Sequence, residues 1–156
     1  MKLRESILIP SPLERIWATI VDPATWPAWN PKIQSVRRSN YGPVVVGEQF
    51  HAVFKLGQME TPSEIEVVAS EPPARLALRQ HYESGRRSRS VEIVFQLEPT
   101  ERGVRLTQTV DLAGAGIPWP IRLLIWWITR FGRAVGPSPL DSLKRLAEQA
   151  PPAKAA

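Results

Sequence analysis

The chain has 156 residues, a formal net charge of +5 and no cysteine. This length is sufficient for one domain with a substantial buried core. The lack of cysteine excludes disulfides, thiolate catalysis and cysteine-ligated zinc or iron–sulfur sites, and the positive balance either favours an acidic partner or simply keeps the protein soluble.

The first predicted elements are a strand over residues 2–9 and a helix that begins after Pro10. Ser11, Pro12 and Glu14 match the capping box, in which the serine hydroxyl and the glutamate carboxylate bind backbone N–H groups that lack a partner within the helix. The apolar positions that follow at helical spacing are Leu13, Ile16, Trp17 and Ile20. We therefore expect an amphipathic first helix with one buried stripe.

A short tryptophan-rich turn is predicted after this helix. Asp22 and Pro23 end the helix, and Asp22 can cap the turn that follows. Trp26 and Trp29 are three residues apart, so a single helical turn places both rings on the same side. Residues 30–31, an Asn-Pro pair, end this turn.

Six further strands are predicted from the alternation of apolar and polar residues. They cover residues 32–38, 47–56, 60–70, 75–83, 88–98 and 104–112. The connections are short and carry glycine or proline, so we expect a mostly antiparallel sheet with one apolar face. The chain has two histidines, His51 and His81, and both fall on the outward side of their strands.

The last part of the chain predicts a long apolar C-terminal helix. Its stripe at helical spacing contains Ile121, Leu124, Ile125, Ile128, Phe131, Gly132 and Val135. Gly136 and Pro137 are expected to break or kink this helix. The Ser-Pro-Leu-Asp sequence of residues 138–141 then repeats the capping pattern, and a second helical piece runs through Leu143, Leu146 and Ala147. Residues 150–156 are expected to form a disordered tail.

This order of elements resembles the START-like or SRPBCC superfamily, which includes polyketide cyclase/dehydrase-like and lipid-transfer proteins. The residues that carry the resemblance are Pro12, Ile16-Trp17, Asp22-Pro23, Trp26-Pro27, Trp29, Pro31, Leu143-Lys144 and Ala147-Glu148. The resemblance implies an α+β helix-grip fold, in which a curved antiparallel sheet of about seven strands wraps around a long C-terminal helix. It covers nearly the whole chain, so we expect a single ligand-binding domain over residues 1–149. Carriers, cyclases and hormone receptors share this architecture, so the fold does not decide the function.

The resemblance implies a cavity between the concave sheet face and the long helix. Strand parity assigns its lining to Phe50, Phe54, Ile65, Val67, Leu78, Gln80, Tyr82, Ile93, Phe95, Leu106, Gln108 and Val110. The helix stripe of Ile121, Leu124, Ile125 and Ile128 is expected opposite, with Trp29 closing one end. Gln80, Tyr82 and Gln108 are the polar exceptions, and they must pair with one another or face water or a ligand. The alternative is a filled core, which has the same apolar pattern.

These residues favour binding and transport of a small hydrophobic ligand such as a lipid, a quinone or a polyketide-like compound. The alternative is a cofactor-independent cyclase or dehydratase, in which Gln80, Tyr82 and Gln108 orient a substrate with Arg79 or His81 at the rim. The sequence contains no nucleophile elbow, no metal-ligand spacing and no phosphate-binding glycine loop. We therefore expect no metal and no cofactor, and we assign no catalytic residue.

A third possibility uses the outer face of the long helix, formed by Arg122, Trp126, Arg130 and Arg133. Tryptophan and arginine are favoured at membrane interfaces and at protein hot spots, so this face is a candidate for docking on an anionic membrane or a protein. The alternative is that the tryptophan rings pack on neighbouring loops. Nucleic acid is not expected, because the basic residues are scattered. The charged N-terminus does not match a secretory signal, so we expect a cytoplasmic protein, with a peripheral membrane position left open.

Overall fold

A computed structural model describes residues 1–131 and 138–149 of the chain. The strands are β1 (Lys2–Ile9), β2 (Ile33–Arg37), β3 (Gln49–Leu56), β4 (Met59–Glu71), β5 (Arg75–Ser84), β6 (Arg87–Thr100) and β7 (Gly103–Asp111). The helices are α1 (Leu13–Val21), α2 (Trp26–Trp29), α3 (Trp119–Phe131) and α4 (Pro139–Gln149). The predicted α+β helix-grip fold, with a curved antiparallel sheet of seven strands and a C-terminal helix, is confirmed. The expected break at Gly136 and Pro137 and the expected tail of residues 150–156 lie outside the described residues.

All seven strands belong to one antiparallel sheet in the order β1-β7-β6-β5-β4-β3-β2. Strands β2 to β7 follow one another as neighbours, whereas β1 lies at the opposite edge from β2. Helices α1 and α2 therefore carry the chain from one edge to the other. The pairing shifts between Ile33 and Ser35 in β2 and between Val67 and Ala69 in β4. Such bulges bend a strand and increase its twist, and they help to curve the sheet.

Helices α1 and α2 cover the apolar side of the sheet. Ile16 and Ile20 of α1 are 1% and 0% exposed, because they lie on the buried side of the amphipathic helix. The Trp26 indole Nε1 donates to the Ile20 carbonyl at 2.8 Å, which fixes α2 against α1. The Trp29 ring packs edge-on against Phe95, with a centroid distance of 6.1 Å. The predicted turn with both tryptophans on one side is confirmed.

Two capping predictions bear on this region, and one of them is wrong. Asp22 does cap the turn after α1, because its Oδ1 accepts the Ala24 N–H at 3.1 Å. Ser11 does not cap α1: the helix begins one residue later than predicted, with Pro12 at the cap position. The Ser11 hydroxyl is buried and has no hydrogen-bond partner among the described residues. The capping box requires the serine to stand directly before the first helical residue, and Pro12 takes that place.

Helix α4 is anchored firmly to the rest of the fold. Leu140 and Leu143 are 0% and 1% exposed and belong to the main core. The repeated capping pattern is confirmed here, because the Ser138 hydroxyl accepts the Leu140 N–H at 3.2 Å. The same hydroxyl donates to the carboxylate of Glu5 in β1. Helix α4 thus covers the sheet beside its β1 edge.

Helix α3 differs from the expectation that the sheet grips it. No residue of α3 is buried, and Ile121, Leu124 and Ile128 are 48%, 54% and 44% exposed. Ile121, Leu124 and Ile128 are therefore not packed against the concave sheet face as expected, whereas Ile125 is half-buried. The physical reason is that large apolar residues occur around most of the helix, so its periodicity does not select one face. The helix that contributes fully buried side chains to the core is α4.

Candidate functional site

A cavity of about 730 Å³ opens on the apolar side of the sheet. Its lining comes from six strands, all except β2, and from the α2–β2 connection, the residue that follows β7, helix α3 and the start of α4. The residues are Leu3, Arg4, Glu5, Asn30, Lys32, Phe54, Lys55, Thr61, Gln80, Tyr82, Val91, Ile93, Gln108, Val110, Leu112, Thr129, Ser138 and Pro139. A volume of this size accommodates a drug-sized molecule.

The floor of the cavity is apolar because adjacent strands place inward residues side by side. Ile93 of β6 lies opposite Val110 of β7, and Val91 of β6 lies opposite Gln80 of β5. Side chains alternate between the two faces of a strand, so Val91 and Ile93, two residues apart, both reach the cavity. Phe54 of β3 closes this floor on the other side.

Gln80, Tyr82 and Gln108, the polar exceptions of the predicted lining, are all part of the cavity wall. The Gln80 Nε2 donates to the Ser63 hydroxyl at 2.9 Å, so one end of this amide is held within the sheet. Tyr82 and Gln108 are half-buried, and no described residue forms a hydrogen bond with either side chain. Half-buried polar groups without a protein partner are available to water or to a bound molecule.

A smaller hollow of about 30 Å³ adjoins the cavity and extends toward the core. It shares Asn30, Phe54, Ile93 and Gln108 with the main cavity. Its other lining residues are Trp26, Trp29, Ile33, Ile65, Leu78 and Phe95. The α2 turn therefore forms the wall at the inner end of the site.

The structure brings most of the predicted strand residues together, although not all of them reach the cavity. Phe54, Gln80, Tyr82, Ile93, Gln108 and Val110 line the main cavity, and Trp29, Ile65, Leu78 and Phe95 line the smaller hollow. Phe50, Val67 and Leu106 are buried core residues that line neither space. Phe50 instead packs against Trp26, with a centroid distance of 5.6 Å.

The predicted helix residues lie elsewhere. Ile121, Leu124, Ile125 and Ile128 line neither space, and Thr129 is the residue of α3 that reaches the cavity. Of the predicted docking residues, Arg122, Trp126 and Arg130 are exposed on α3, whereas Arg133 lies outside the described residues. Trp126 is 53% exposed. Its ring contacts the Phe131 ring of the same helix, with a centroid distance of 6.4 Å, instead of packing on a loop.

Sequence reasoning missed the charged rim of the cavity. Arg4, Lys32 and Lys55 are exposed and line it, together with one carboxylate, Glu5. Glu5 is engaged by the Ser138 hydroxyl. Charged residues are common on any exposed strand end, so only the fold reveals that these three cations lie at one opening. Leu3 and Val91 also line the cavity, and strand parity was the signal that could have identified them.

The histidines do not contribute to the cavity. His81 lies on the opposite face of the sheet, where its Nε2 is 3.2 Å from the Glu66 carboxylate. Arg79 is 3.9 Å from the same carboxylate and 3.5 Å from Glu92, which completes a polar outer cluster. His51 is exposed. Within residues 1–131 and 138–149, no three histidine or acidic side chains are grouped so that they could hold a metal ion.

Solved structures with the same fold cover nearly the whole chain. Protein CV1439 from Chromobacterium violaceum is 16% identical, with a TM-score of 0.69 over 96% of this chain and 98% of its own. Protein MLL2253 from Mesorhizobium loti is 18% identical, with a TM-score of 0.69 over 97% and 99%. Ara h 8.0201 is 13% identical, with a TM-score of 0.67 over 96% and 99%. At these identities the likeness concerns the fold alone.

Sequence comparison gives the family. No protein with a curated description matches the chain significantly. A family model described as polyketide cyclase / dehydrase and lipid transport matches residues 1–148. The match includes every strand and all but the last residue of α4. The chain therefore belongs to the polyketide cyclase / dehydrase and lipid transport family.

Proposed function

We propose that this protein binds a small hydrophobic molecule in the cavity beneath the sheet and carries it. The observation that supports the proposal is the combination of an apolar floor with two polar side chains, Tyr82 and Gln108, that have no partner among the described residues. Apolar walls with a few polar fixing groups are the usual form of a small-molecule site. The family description, which includes lipid transport, agrees with this reading.

The lining favours an amphipathic ligand with an apolar body and a polar or anionic head. The apolar body lies on Val91, Ile93 and Val110. It is a lipid tail, a quinone or a polyketide-like ring system. The head lies at the opening, where Lys32 and Lys55 supply positive charge. A charged head remains partly hydrated at such a rim and so avoids the large cost of burying an unpaired charge.

Native mass spectrometry of the freshly purified protein tests the proposal, with the released small molecules identified after denaturation. A stoichiometric apolar adduct is expected. The Ile93→Trp variant should lose it, because the larger side chain occupies the junction of the cavity and the inner hollow. Val94→Trp is the matched control, since Val94 lines neither space. An adduct that persists in Ile93→Trp would contradict binding at this site.

The second candidate is a cofactor-independent cyclase or dehydratase, which the family description also includes. The Tyr82 hydroxyl favours it, because this group lines the cavity and is free to donate to a carbonyl oxygen of a substrate. Tyr82→Phe should then lower the rate of turnover without changing the fold. A carrier should instead retain its ligand and show no turnover in either form.

A further inference from the structure

Helix α3 carries a broad apolar surface that nothing in the described chain covers. Leu123, Leu124, Trp127 and Phe131 are 56%, 54%, 57% and 66% exposed. With Ile128 they form what we call the α3 arc. Soluble proteins rarely expose a contiguous group of large apolar side chains, and such patches mark contact with a membrane or a partner.

The arc points away from the cavity. Successive helical residues are rotated by about 100°, which puts the arc residues within roughly 140° of one another on one side of α3. Thr129 lies outside the arc and is the residue of α3 that lines the cavity. Ile125, near Thr129 on the helix surface, is the least exposed of the α3 residues. The helix thus turns its less apolar side toward the domain, which is the opposite of what a lid on an apolar cavity would do.

The charge that α3 itself carries is entirely positive. Arg122 and Arg130 are the charged residues of α3, and the sequence has no acidic residue between Asp111 and Asp141. Arg89 adds to this charge at the entrance to α3, because its guanidinium lies against Gly116. The Thr129 hydroxyl donates to carbonyl oxygens of its own helix at 2.9 and 3.0 Å. An apolar medium therefore meets few polar groups of α3 other than the arginine heads.

We propose that α3 is an interfacial helix that docks this protein on the surface of an anionic lipid bilayer. The arc enters the boundary between headgroups and acyl chains, and Arg130, which borders the arc, remains at the level of the phosphates. Arg122 lies on the opposite side of the helix and adds positive charge from a greater distance. At about 1.5 Å per residue α3 is roughly 20 Å long, well short of the hydrocarbon core. Among the described helices none is long and apolar enough to cross a membrane. Helix α3 therefore lies along the surface.

Charge complementarity favours a bilayer over a second copy of the chain. Two copies that met through the arc would bring Arg130, at the edge of the arc, against a partner helix that carries no carboxylate to neutralise it. An anionic surface instead attracts each cation. This docking goes beyond the proposed ligand binding and does not depend on it.

Co-sedimentation with vesicles tests the proposal, with phosphatidylcholine alone compared with phosphatidylcholine mixed with phosphatidylglycerol. The protein should bind the anionic vesicles strongly and the neutral ones weakly. The double variant Leu124→Glu with Trp127→Glu should lose at least tenfold in affinity, because it places two carboxylates in the acyl boundary. Tyr41→Glu with Met59→Glu is the matched control, since both residues are exposed and lie outside α3. The control should show only the smaller loss of vesicle affinity that two added negative charges cause anywhere on the surface.

Two arginine substitutions test the contribution of positive charge to vesicle binding. Arg130→Gln should weaken binding to the anionic vesicles by about fivefold, and Arg122→Gln, on the opposite side of the helix from the arc, should weaken it less. Neither change should alter binding to neutral vesicles. Circular dichroism checks that every variant is folded, and the cavity adduct, measured in parallel, should be retained in the α3 variants.

Three results would overturn docking on a bilayer. The first is a wild-type protein that does not bind the anionic vesicles. The second is an equal loss in the α3 double variant and in its control. The third is a concentration-dependent dimer that Leu124→Glu with Trp127→Glu abolishes, without vesicle binding by the wild type, because α3 would then join two copies. A wild-type protein that binds the anionic vesicles but carries no cavity adduct would contradict the ligand proposal and leave the docking proposal standing.

Discussion

Ser11 and Ser138 occupy the same place in two similar sequences but differ in hydrogen bonding. Each is followed by proline, leucine and an acidic residue. The Ser138 hydroxyl accepts the N–H of Leu140, whereas the Ser11 hydroxyl is buried without a partner among the described residues. A buried hydroxyl without a hydrogen bond costs about 1–3 kcal/mol, and a capping serine contributes about 1 kcal/mol.

The same substitution should therefore act in opposite directions at the two sites. Ser11→Ala should leave the free energy of unfolding unchanged or raise it by up to about 1 kcal/mol, because it removes an unpaired polar group. Ser138→Ala should lower it by about 1 kcal/mol through loss of the cap. Urea unfolding of both variants measures the difference. Equal destabilisation by the two changes would mean that Ser11 has a partner after all.

Arg38 and Glu48 form a buried ion pair between the end of β2 and the start of β3. Both side chains are 8% exposed. The guanidinium donates to both carboxylate oxygens at 2.9 Å, and Asn40 donates to one of them at 3.1 Å. Burial alone would raise the pKa of the Glu48 carboxyl, but the hydrogen bonds from Arg38 and Asn40 and the charge of Arg38 outweigh it and lower this pKa.

The lowered pKa predicts the sign of a pH effect. The charged form of Glu48 stabilises the fold above the ordinary carboxyl pKa of 4.5, and this contribution is lost as the pH falls through the lower folded value. Glu48→Gln should reduce the free energy of unfolding by about 3 kcal/mol near neutral pH, because it leaves Arg38 buried without its counter-charge.

This difference between wild type and Glu48→Gln should shrink below pH 4.5 and stay constant above it. Urea unfolding across the acid range measures the difference. Glu66→Gln on the outer face is the control, since Glu66 is less buried and its partners, Arg79 and His81, are more exposed. A difference that grows on acidification would contradict the assignment of this pair.

At the scale of elements, α3 and α4 have different roles, although the sequence pattern predicts one long helix that packs on the sheet. Helix α4 contributes Leu140 and Leu143 to the core and binds β1 through Ser138 and Glu5. Helix α3 contributes no buried residue. Stability should therefore depend on α4, while α3 is available for contact with another surface.

Truncation of one leucine in each helix tests this division. Leu143→Ala should lower the free energy of unfolding by about 2–5 kcal/mol, because it leaves a cavity in the core. Leu124→Ala should change it by less than about 0.5 kcal/mol, since a surface substitution removes little packing. Chemical unfolding of both variants provides the comparison. A loss in Leu124→Ala as large as in Leu143→Ala would place α3 against the domain.

The elements differed in how well the sequence predicted them, and the reason is physical. Alternation along a strand has a period of two and distinguishes the two faces of a sheet, so Ile93 and Val110 were both assigned to the apolar side, where the structure pairs them. In α3 the apolar residues extend around the helix, so the pattern could not select the face of Ile121 or of Thr129. The rim residues Lys32 and Lys55 gave no signal, because exposed lysines occur on every surface.

At the scale of the whole molecule, positive charge and an apolar cavity occur together. The formal net charge is +5, and three cations lie at the cavity rim with one carboxylate. Partial hydration weakens any single ion pair at such a rim to about 0.2–1 kcal/mol. An acidic amphiphile should therefore bind somewhat more tightly than its neutral counterpart.

Oleate and oleyl alcohol are a suitable pair for this comparison, because they share a chain and differ in the head. Oleate should bind several-fold more tightly, and Lys32→Gln with Lys55→Gln should reduce this preference by up to about fivefold per lysine. Arg102→Gln with Arg145→Gln is the control, since both residues are exposed and line no cavity. Calorimetric titration gives the affinities. Equal affinities for the acid and the alcohol would contradict a role for the rim.

The pairing of β1 with β7 has a consequence for how the protein is made. Ser6 and Thr107 share a hydrogen bond across 101 positions of the chain, and Glu5 and Ser138 share one across 133. On the ribosome, β1 is synthesised first but has no neighbour until β7 emerges. Contacts between such distant segments slow folding, because a long loop must close before they form. The nascent chain therefore exposes one open strand through most of translation, and its structure is completed only after α4 has left the exit tunnel.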